Sequence, residues 1–262
     1  MIFYYTSTGN SQWVAERLSH YLDETLLSIN SIAKNDFTAS DYEFQEGERL
    51  IFVFPVHSWN VPATVVDFIE EFTFEGKPSS VYAVCTCGDD CGLTDKKMAK
   101  LMDQKGLKLN ACFSVQMPNN YVLFPGFNID PVDVQDKKIH AAVDRVKQLA
   151  DDIARGETNQ VGRYTPGSMA WAKTTLIYPF FAHVQCGHTP FYATEACVGC
   201  GMCAQVCPVN NIRLMSDGRP QWRNHCTQCA ACFHHCPKNA VQYGSLTKNK
   251  GQYINTHVKF DD

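Results

Sequence analysis

The sequence predicts two unlike units in one chain: an α/β, doubly wound, five-stranded parallel sheet, and behind it a small α+β unit dense in cysteine. Three observations predict this. Short apolar runs alternate with amphipathic helical stretches through the first 155 residues, which is the pattern of a parallel sheet covered on both faces. Nine of the 13 cysteines fall between Cys186 and Cys236. From Phe191 onward the chain is punctuated by Gly and Pro and repeats itself once. The expected division is 1–155 for the sheet unit, 156–190 for a connector, 191–245 for the cysteine-rich unit and 246–262 for a tail.

In chain order, Ile2–Tyr5, Thr25–Ile29, Leu50–Phe54, Val81–Cys85 and Leu109–Val115 are the strands, rich in β-branched and aromatic residues. Between them, Ser11–Leu22, Ala63–Phe72 and Asp95–Lys105 carry apolar residues at helical spacing. The helix Val132–Arg155 lines up Val134, Ile139, Val143, Val146, Leu149 and Ile153 on one stripe, and Gly156 marks its end. Sheets of this kind bind ligands beyond the carboxyl ends of their strands. In the connector, the aromatic-rich stretch Trp171–Phe181 is expected as a helix docked between the units. It lacks the clustered basic face of a membrane-surface anchor. Ile212–Trp222, with Asp217-Gly218 at its turn, reads as a hairpin, and Val241–Tyr243 as the last strand.

Charge and hydropathy exclude several classes. The net charge of −4, without a Lys/Arg run, argues against nucleic acid as a partner. Residues 1–185 hold 16 Lys+Arg against 23 Asp+Glu, whereas residues 186–262 hold 7 against 4. The positive surplus at the end suits anionic thiolate-ligated metal. No stretch reaches the roughly 20 apolar residues of a membrane span. Met1-Ile2-Phe3-Tyr4-Tyr5 reads as a strand and not as a signal peptide. The expected location is therefore cytoplasmic, where cysteine at this density means metal and not disulfides.

Cys197-x2-Cys200-x2-Cys203-x3-Cys207-Pro208 recurs as Cys226-x2-Cys229-x2-Cys232-x3-Cys236-Pro237. Three closely spaced cysteines wrap one cubane, and by the general rule for two-cluster proteins the fourth crosses to the other cluster. One [4Fe–4S] cluster is then expected on Cys197, Cys200, Cys203 and Cys236, and a second on Cys226, Cys229, Cys232 and Cys207. Structural zinc favours separated pairs of cysteines and fits this doubled run less well. From about Phe191 to Tyr243 the residues resemble the bacterial two-[4Fe–4S] ferredoxin family.

Tyr5-Thr6-Ser7-Thr8-Gly9-Asn10-Ser11 joins the first strand to the first helix. Free N–H groups and the dipole of a helix N-terminus suit a phosphate, and the hydroxyls add donors. A Ser/Thr-rich N-cap is the plainer reading of the loop alone. The patterns for ATP or directly bound dinucleotide are absent. Thr6-x-Thr8-Gly9-Asn10-Ser11 resembles the FMN phosphate loop of flavodoxins, and the whole sheet unit is similar to a flavodoxin-like fold. That resemblance implies two further flavin-gripping loops, Pro55-Val56-His57-Ser58-Trp59-Asn60-Val61-Pro62 and Thr86-Cys87-Gly88-Asp89-Asp90. Trp59 is then a candidate for stacking on the ring, with packing as its alternative. The segment Met117-Pro118-Asn119-Asn120-Tyr121 resembles one found in flavodoxin–ferredoxin fusion proteins, and the whole chain is similar to that family.

Four other features stay outside these motifs. His57 either donates toward the flavin or faces solvent. Cys85, Cys87 and Cys91 stand near the flavin edge, but strand alternation is expected to keep Cys85 and Cys87 from converging. Cys112 reads as a buried core residue, and Cys186 has no assigned role. His234 and His235 are expected to support or flank Cys236 and not to ligate metal.

The expected function is electron transfer between a bound FMN and two [4Fe–4S] clusters, to or from protein redox partners or a small-molecule electron acceptor. The alternative is a flavin-dependent reductase fed by its own clusters, and a third option is a redox-sensing module. An open concave space over the flavin would favour the reductase, a covered flavin pure transfer. Neither catalytic residues nor oligomeric state can be read from the sequence.

Overall fold

The computed structural model describes residues 1–34, 42–186 and 190–259. Residues 187–189 of the expected connector and 260–262 of the expected tail lie outside the described residues.

Strand β1 (Ile2–Tyr4) is followed by helix α1 (Asn10–Leu22), β2 (Leu26–Ser28), α2 (Ile29–Lys34), β3 (Arg49–Pro55), α3 (Ala63–Glu71), β4 (Ser80–Cys87), α4 (Thr94–Gln104), β5 (Ala111–Gln116) and α5 (Val132–Ala154). The strands form one parallel sheet in the order β2-β1-β3-β4-β5. This is the doubly wound flavodoxin-like order, whose ligand site opens where the chain reverses direction between β1 and β3. The second strand is shorter than its sequence run, because Ile29 turns into α2.

Alternation along the strands builds a core on each face. Ile2, Tyr4, Ile51, Val53, Tyr82, Val84, Phe113 and Val115 point to the face covered by α1 and α5, where Trp13, Leu18, Val146 and Leu149 meet them. Phe3, Tyr5, Leu50, Phe52, Phe54, Ala83 and Cys85 point to the other, against Val65, Phe68 and Ile69 of α3 and Met98 and Met102 of α4. Alternation also settles the cysteines, contrary to the expectation that it separates Cys85 from Cys87. Residues two apart on a strand share a face, so both join Cys91 and Cys112 in one buried core, with the Cys85 and Cys91 sulfurs 3.5 Å apart. Contact with the Cys112 thiol, together with burial, raises the Cys85 thiol well above its usual range.

Beyond α5, residues Ala170–Ala172, Lys173–Ile177, Tyr178–Phe180 and Phe181–Gln185 run on as one helical stretch with two π-helical pieces. The last part has two antiparallel pairs. Strand β6 (Phe191–Ala193) pairs with β9 (Val241–Tyr243), and β7 (Ile212–Leu214) with β8 (Pro220–Trp222). Gly218, at φ 78°, makes the turn between β7 and β8. Two one-turn helices, α6 (Met202–Gln205) and α7 (Ala231–His234), carry Cys203 and Cys232. A third core, centred on Phe191, Phe233 and Tyr243, also takes in Val122 and Leu123 from the loop after β5. No helix among the described residues is long and apolar enough to cross a membrane.

Candidate functional site

A cavity of about 550 Å³ opens at the carboxyl ends of β1, β3, β4 and β5. Its floor is the turn from β1 into α1. Gly9, at φ 92°, precedes the first residue of α1 in a left-handed conformation that only glycine adopts without strain. Its N–H is bound by the Thr6 hydroxyl at 3.0 Å. The Asn30 amide holds Thr6 from both sides, accepting its N–H at 3.0 Å and donating to its carbonyl at 2.8 Å. Thr6, Ser7, Thr8, Asn10 and Ser11 line the cavity, whereas Gly9 shapes the loop without lining it.

The neighbouring loops are laced to this one. Ser11 and Thr86 share a hydroxyl–hydroxyl bond of 2.8 Å, and Asn120 donates to the Thr8 hydroxyl at 2.5 Å. After β3, His57 and Asn60 close a tight turn with two backbone bonds of 3.0 and 3.1 Å. Ser58 (φ 48°) and Trp59 (φ 61°) occupy its centre, both left-handed, a conformation that costs a non-glycine residue on the order of 1–2 kcal/mol. A clamp holds Trp59 there. Its indole N–H donates to Asp90 at 2.5 Å, Asp90 pairs with Lys173 at 2.5 Å, and Lys173 lies 5.2 Å above the indole ring. Thr174 completes it by donating to the Trp59 carbonyl at 3.0 Å while accepting the Leu93 N–H at 2.9 Å. Gly92, at φ 60°, leaves the room for Thr174 and Trp59.

Pro55, Val56, His57, Ser58 and Trp59 all line the cavity, as do Thr86, Cys87, Gly88, Asp89 and Tyr121. Asn60 does not; it is buried, and its side-chain oxygen accepts the Val61 N–H at 2.9 Å. His57 stands in the cavity wall, its ring 5.9 Å from that of Tyr5, and desolvation pushes its pKa down to about 4. Sequence reasoning missed the other side of the cavity. Lys173 shapes it, and Phe124, Phe127 and Phe180 ring its mouth. Gln228, Cys229 and Ala230 complete the wall. No sequence signal links these to the first loop; distant contacts bring them in.

The eight motif cysteines form two groups. Cys203 lies close enough to Cys236, Cys197 and Cys200 to feel their charge, and Cys232 likewise to Cys229, Cys226 and Cys207. The two groups are related by pseudo-symmetry. The Asn211 N–H donates to the Cys207 sulfur at 3.2 Å, as the Ala240 N–H does to Cys236 at 3.2 Å. None of the thirteen cysteines is in a disulfide, and among the described residues no three His, Cys, Asp or Glu side chains converge on a single-ion site.

Contacts across the molecule bring the second group to the cavity. His235 bonds the Ser7 carbonyl at 3.0 Å and His234 that of Asn120 at 2.7 Å. The final segment straps both halves together. Tyr253 donates to Asn10 at 2.6 Å, the Asn255 N–H to the Thr8 carbonyl at 2.8 Å, and Gln252 to the carbonyls of Phe233 (2.6 Å) and Cys236 (2.9 Å).

Residues 1–122 match the family model of the flavodoxin domain, and residues 196–241 match that of the 4Fe-4S dicluster domain. The chain joins a flavodoxin domain to a 4Fe-4S dicluster domain. Both domain types carry electrons, the first on a flavin and the second on [4Fe–4S] chemistry. Among solved structures, the Trp repressor binding protein from Bacillus subtilis is 15% identical, with a TM-score of 0.35 over 57% of this chain and 97% of that one. A flavodoxin from Streptococcus pneumonia TIGR4 is 16% identical, with a TM-score of 0.38 over 59% and 96%. The NAD(P)H:quinone oxidoreductase from Methanothermobacter marburgensis is 12% identical, with a TM-score of 0.37 over 58% and 94%. No curated protein matches the chain.

The residues fit such groups. The cavity sits where a flavodoxin domain binds its ligand, over a helix N-terminus of neutral donors. Around the second cysteine group, the Ser7 and Thr227 hydroxyls and the Trp222 indole N–H are buried without a hydrogen bond of good geometry. Ser7 and Thr227 face Cys229, and Trp222 faces Cys232. Buried donors left unpaired are rare in native proteins, and here cluster sulfur would supply the acceptors.

Proposed function

We propose that this chain relays electrons internally between FMN in the cavity and two [4Fe–4S] clusters, exchanging them with outside redox partners. The observation that carries the reading is Cys229, a cluster-motif cysteine, in the wall of the same cavity as the flavodoxin loops. Cys226, Cys229, Cys232 and Cys207 would hold the cluster on the flavin side. Cys197, Cys200, Cys203 and Cys236 would hold the outer one, where the exposed Cys200 offers a contact point for a partner.

A flavin accepts one or two electrons and a [4Fe–4S] cluster passes one, so the pair converts between the two currencies. The chain's own residues supply position and environment. Thr6, Thr8 and Ser11 with the N-terminus of α1 would hold the phosphate, and Trp59 and Tyr121 would wall the ring. The partly buried His57, its pKa pushed down to about 4 by desolvation, would keep positive charge away from it at neutral pH. Asp89 and Asp90 border the cavity, each beside a lysine, Lys138 at 3.7 Å and Lys173 at 2.5 Å, so the rim carries little net charge.

A second reading, reduction of a small apolar acceptor, is favoured by one observation. Phe124, Phe127, Ile177 and Phe180 are partly exposed and border the cavity mouth. A steady-state screen of apolar acceptors separates it from pure transfer, since turnover that falls in a Phe127→Asp variant belongs to a substrate pocket. The primary reading is tested by measuring FMN, iron and acid-labile sulfide per chain under anaerobic conditions. One FMN with about eight iron and eight sulfide, the content of two cubanes, is expected. Protein that takes up no FMN would end the relay reading.

A further inference from the structure

The Ser7 hydroxyl belongs to the proposed phosphate loop, yet it is buried and makes no hydrogen bond of good geometry. Its backbone carbonyl is already taken by His235. The Tyr5 hydroxyl meets it, and those of Thr64 and Thr227 meet Tyr5 in turn; all four are buried and none makes a hydrogen bond of good geometry. Tyr5 is 0% exposed, at the end of β1 and in the core. Four unsatisfied hydroxyls in one place form an incomplete chain of donors, and a chain of O–H groups needs a terminal acceptor. The group they border is Cys229, which both Ser7 and Thr227 face. Among the described residues, no such donor bears on Cys203, the buried cysteine of the other group. The two cysteine groups therefore differ in a way that their identical spacing hides.

We infer that Ser7 and Thr227 donate hydrogen bonds to the sulfur of Cys229, with Tyr5 orienting them, so that a loop of the flavodoxin domain tunes the cluster of the dicluster domain. The inference rests on the proposed assignment of a cluster to Cys226, Cys229, Cys232 and Cys207. Its physical basis is charge. Reduction adds an electron to an anionic cluster, and a donor aimed at a thiolate stabilises the more negative state more, so each such bond raises the potential. Ser7 and Thr227 act through the cysteine and are positioning residues. Since Ser7 lies in the flavodoxin loop, this hydroxyl ties the potential of the flavin-side cluster to the docking of the two domains.

The test is an EPR-monitored redox titration of the full, cluster-loaded chain, with iron and sulfide counted on the same samples. Ser7→Ala is expected to move one of two cluster midpoints to more negative potential and leave the other in place. Ser7→Thr is expected to restore it. Thr227→Val, outside the flavodoxin loop, is expected to move the same midpoint in the same direction, which covers any loss of flavin in the Ser7 variant. The Fe–S(Cys) stretching bands should shift with the midpoint. Full iron content with both midpoints unmoved in Ser7→Ala and Thr227→Val overturns the inference alone, as does an equal shift of both. Unmodified protein holding only one cluster overturns the two-cluster reading, and the inference with it.

Discussion

Tyr253 is the pin of the strap that crosses both domains, and Tyr253→Phe removes only its hydroxyl. In the native chain that hydroxyl donates to Asn10 Oδ1 at 2.6 Å, with the two residues 5% and 6% exposed. Leaving a buried acceptor unpaired costs about 1–3 kcal/mol. Asn10 Oδ1 keeps a second, longer bond from Asn255 at 3.3 Å, so the lower half of that range applies, about 1–2 kcal/mol. That is about a 5- to 30-fold change in the folding equilibrium. For a chain of this size it lowers Tm by about 2–8 °C. The assay is thermal unfolding followed by tryptophan fluorescence, since Trp13 is buried on the same helix as Asn10. A double-mutant cycle with Asn10→Ala should return a coupling above about 0.5 kcal/mol. A Tyr253→Phe chain as stable as the parent, with no coupling to Asn10, would refute the strap.

Three further outcomes follow from the cavity. Asp90→Asn keeps an oxygen for the Trp59 indole but strips Lys173 of its counter-charge, costing about 2 kcal/mol; FMN titration should show weaker binding, and unchanged affinity would remove the clamp from the site. Gly92→Ala places a Cβ 2.5 Å from the Thr174 hydroxyl and 2.7 Å from the Trp59 Cβ at a positive φ, so stability should fall by at least about 2 kcal/mol in urea unfolding. For His57, the folded pKa of about 4 lies below the usual value near 6.5. As pH falls the unfolded chain takes the proton first. Stability is therefore intact above about 6.5 and declines toward pH 4, by up to about 1.4 kcal/mol per unit from this group. His57→Asn should flatten that decline; an identical slope would exclude His57 as its source.

What the sequence made legible was local. Burial on both faces makes Leu50–Phe54 and Val81–Cys85 continuous apolar runs, so they survive as pattern in the text. The cysteine runs are legible for a similar reason, because their spacing is the geometry of one loop. The Thr6–Ser11 turn is local too, down to the glycine that must be left-handed. Trp59 was legible as an aromatic in a loop, but what holds it was not. Asp90 and Lys173 are 31 and 114 residues further along, and only the folded chain brings them to it. The same holds for Tyr253, which reads as tail and acts as strap, and for Ser7, whose buried hydroxyl faces Cys229, 222 residues further along. Cys85 and Cys87 teach a smaller lesson. Alternation separates adjacent residues, and a spacing of two undoes it.

The central claim is that the flavin and the clusters exchange electrons within one chain, through the cysteines at the cavity wall. Flash photoreduction of the bound flavin, with cluster reduction followed optically over a range of protein concentrations, tests it most directly. The account predicts a cluster-reduction rate independent of protein concentration, and its loss in Cys229→Ser while iron remains on the outer group. A rate proportional to protein concentration, or one unchanged in Cys229→Ser, would contradict it.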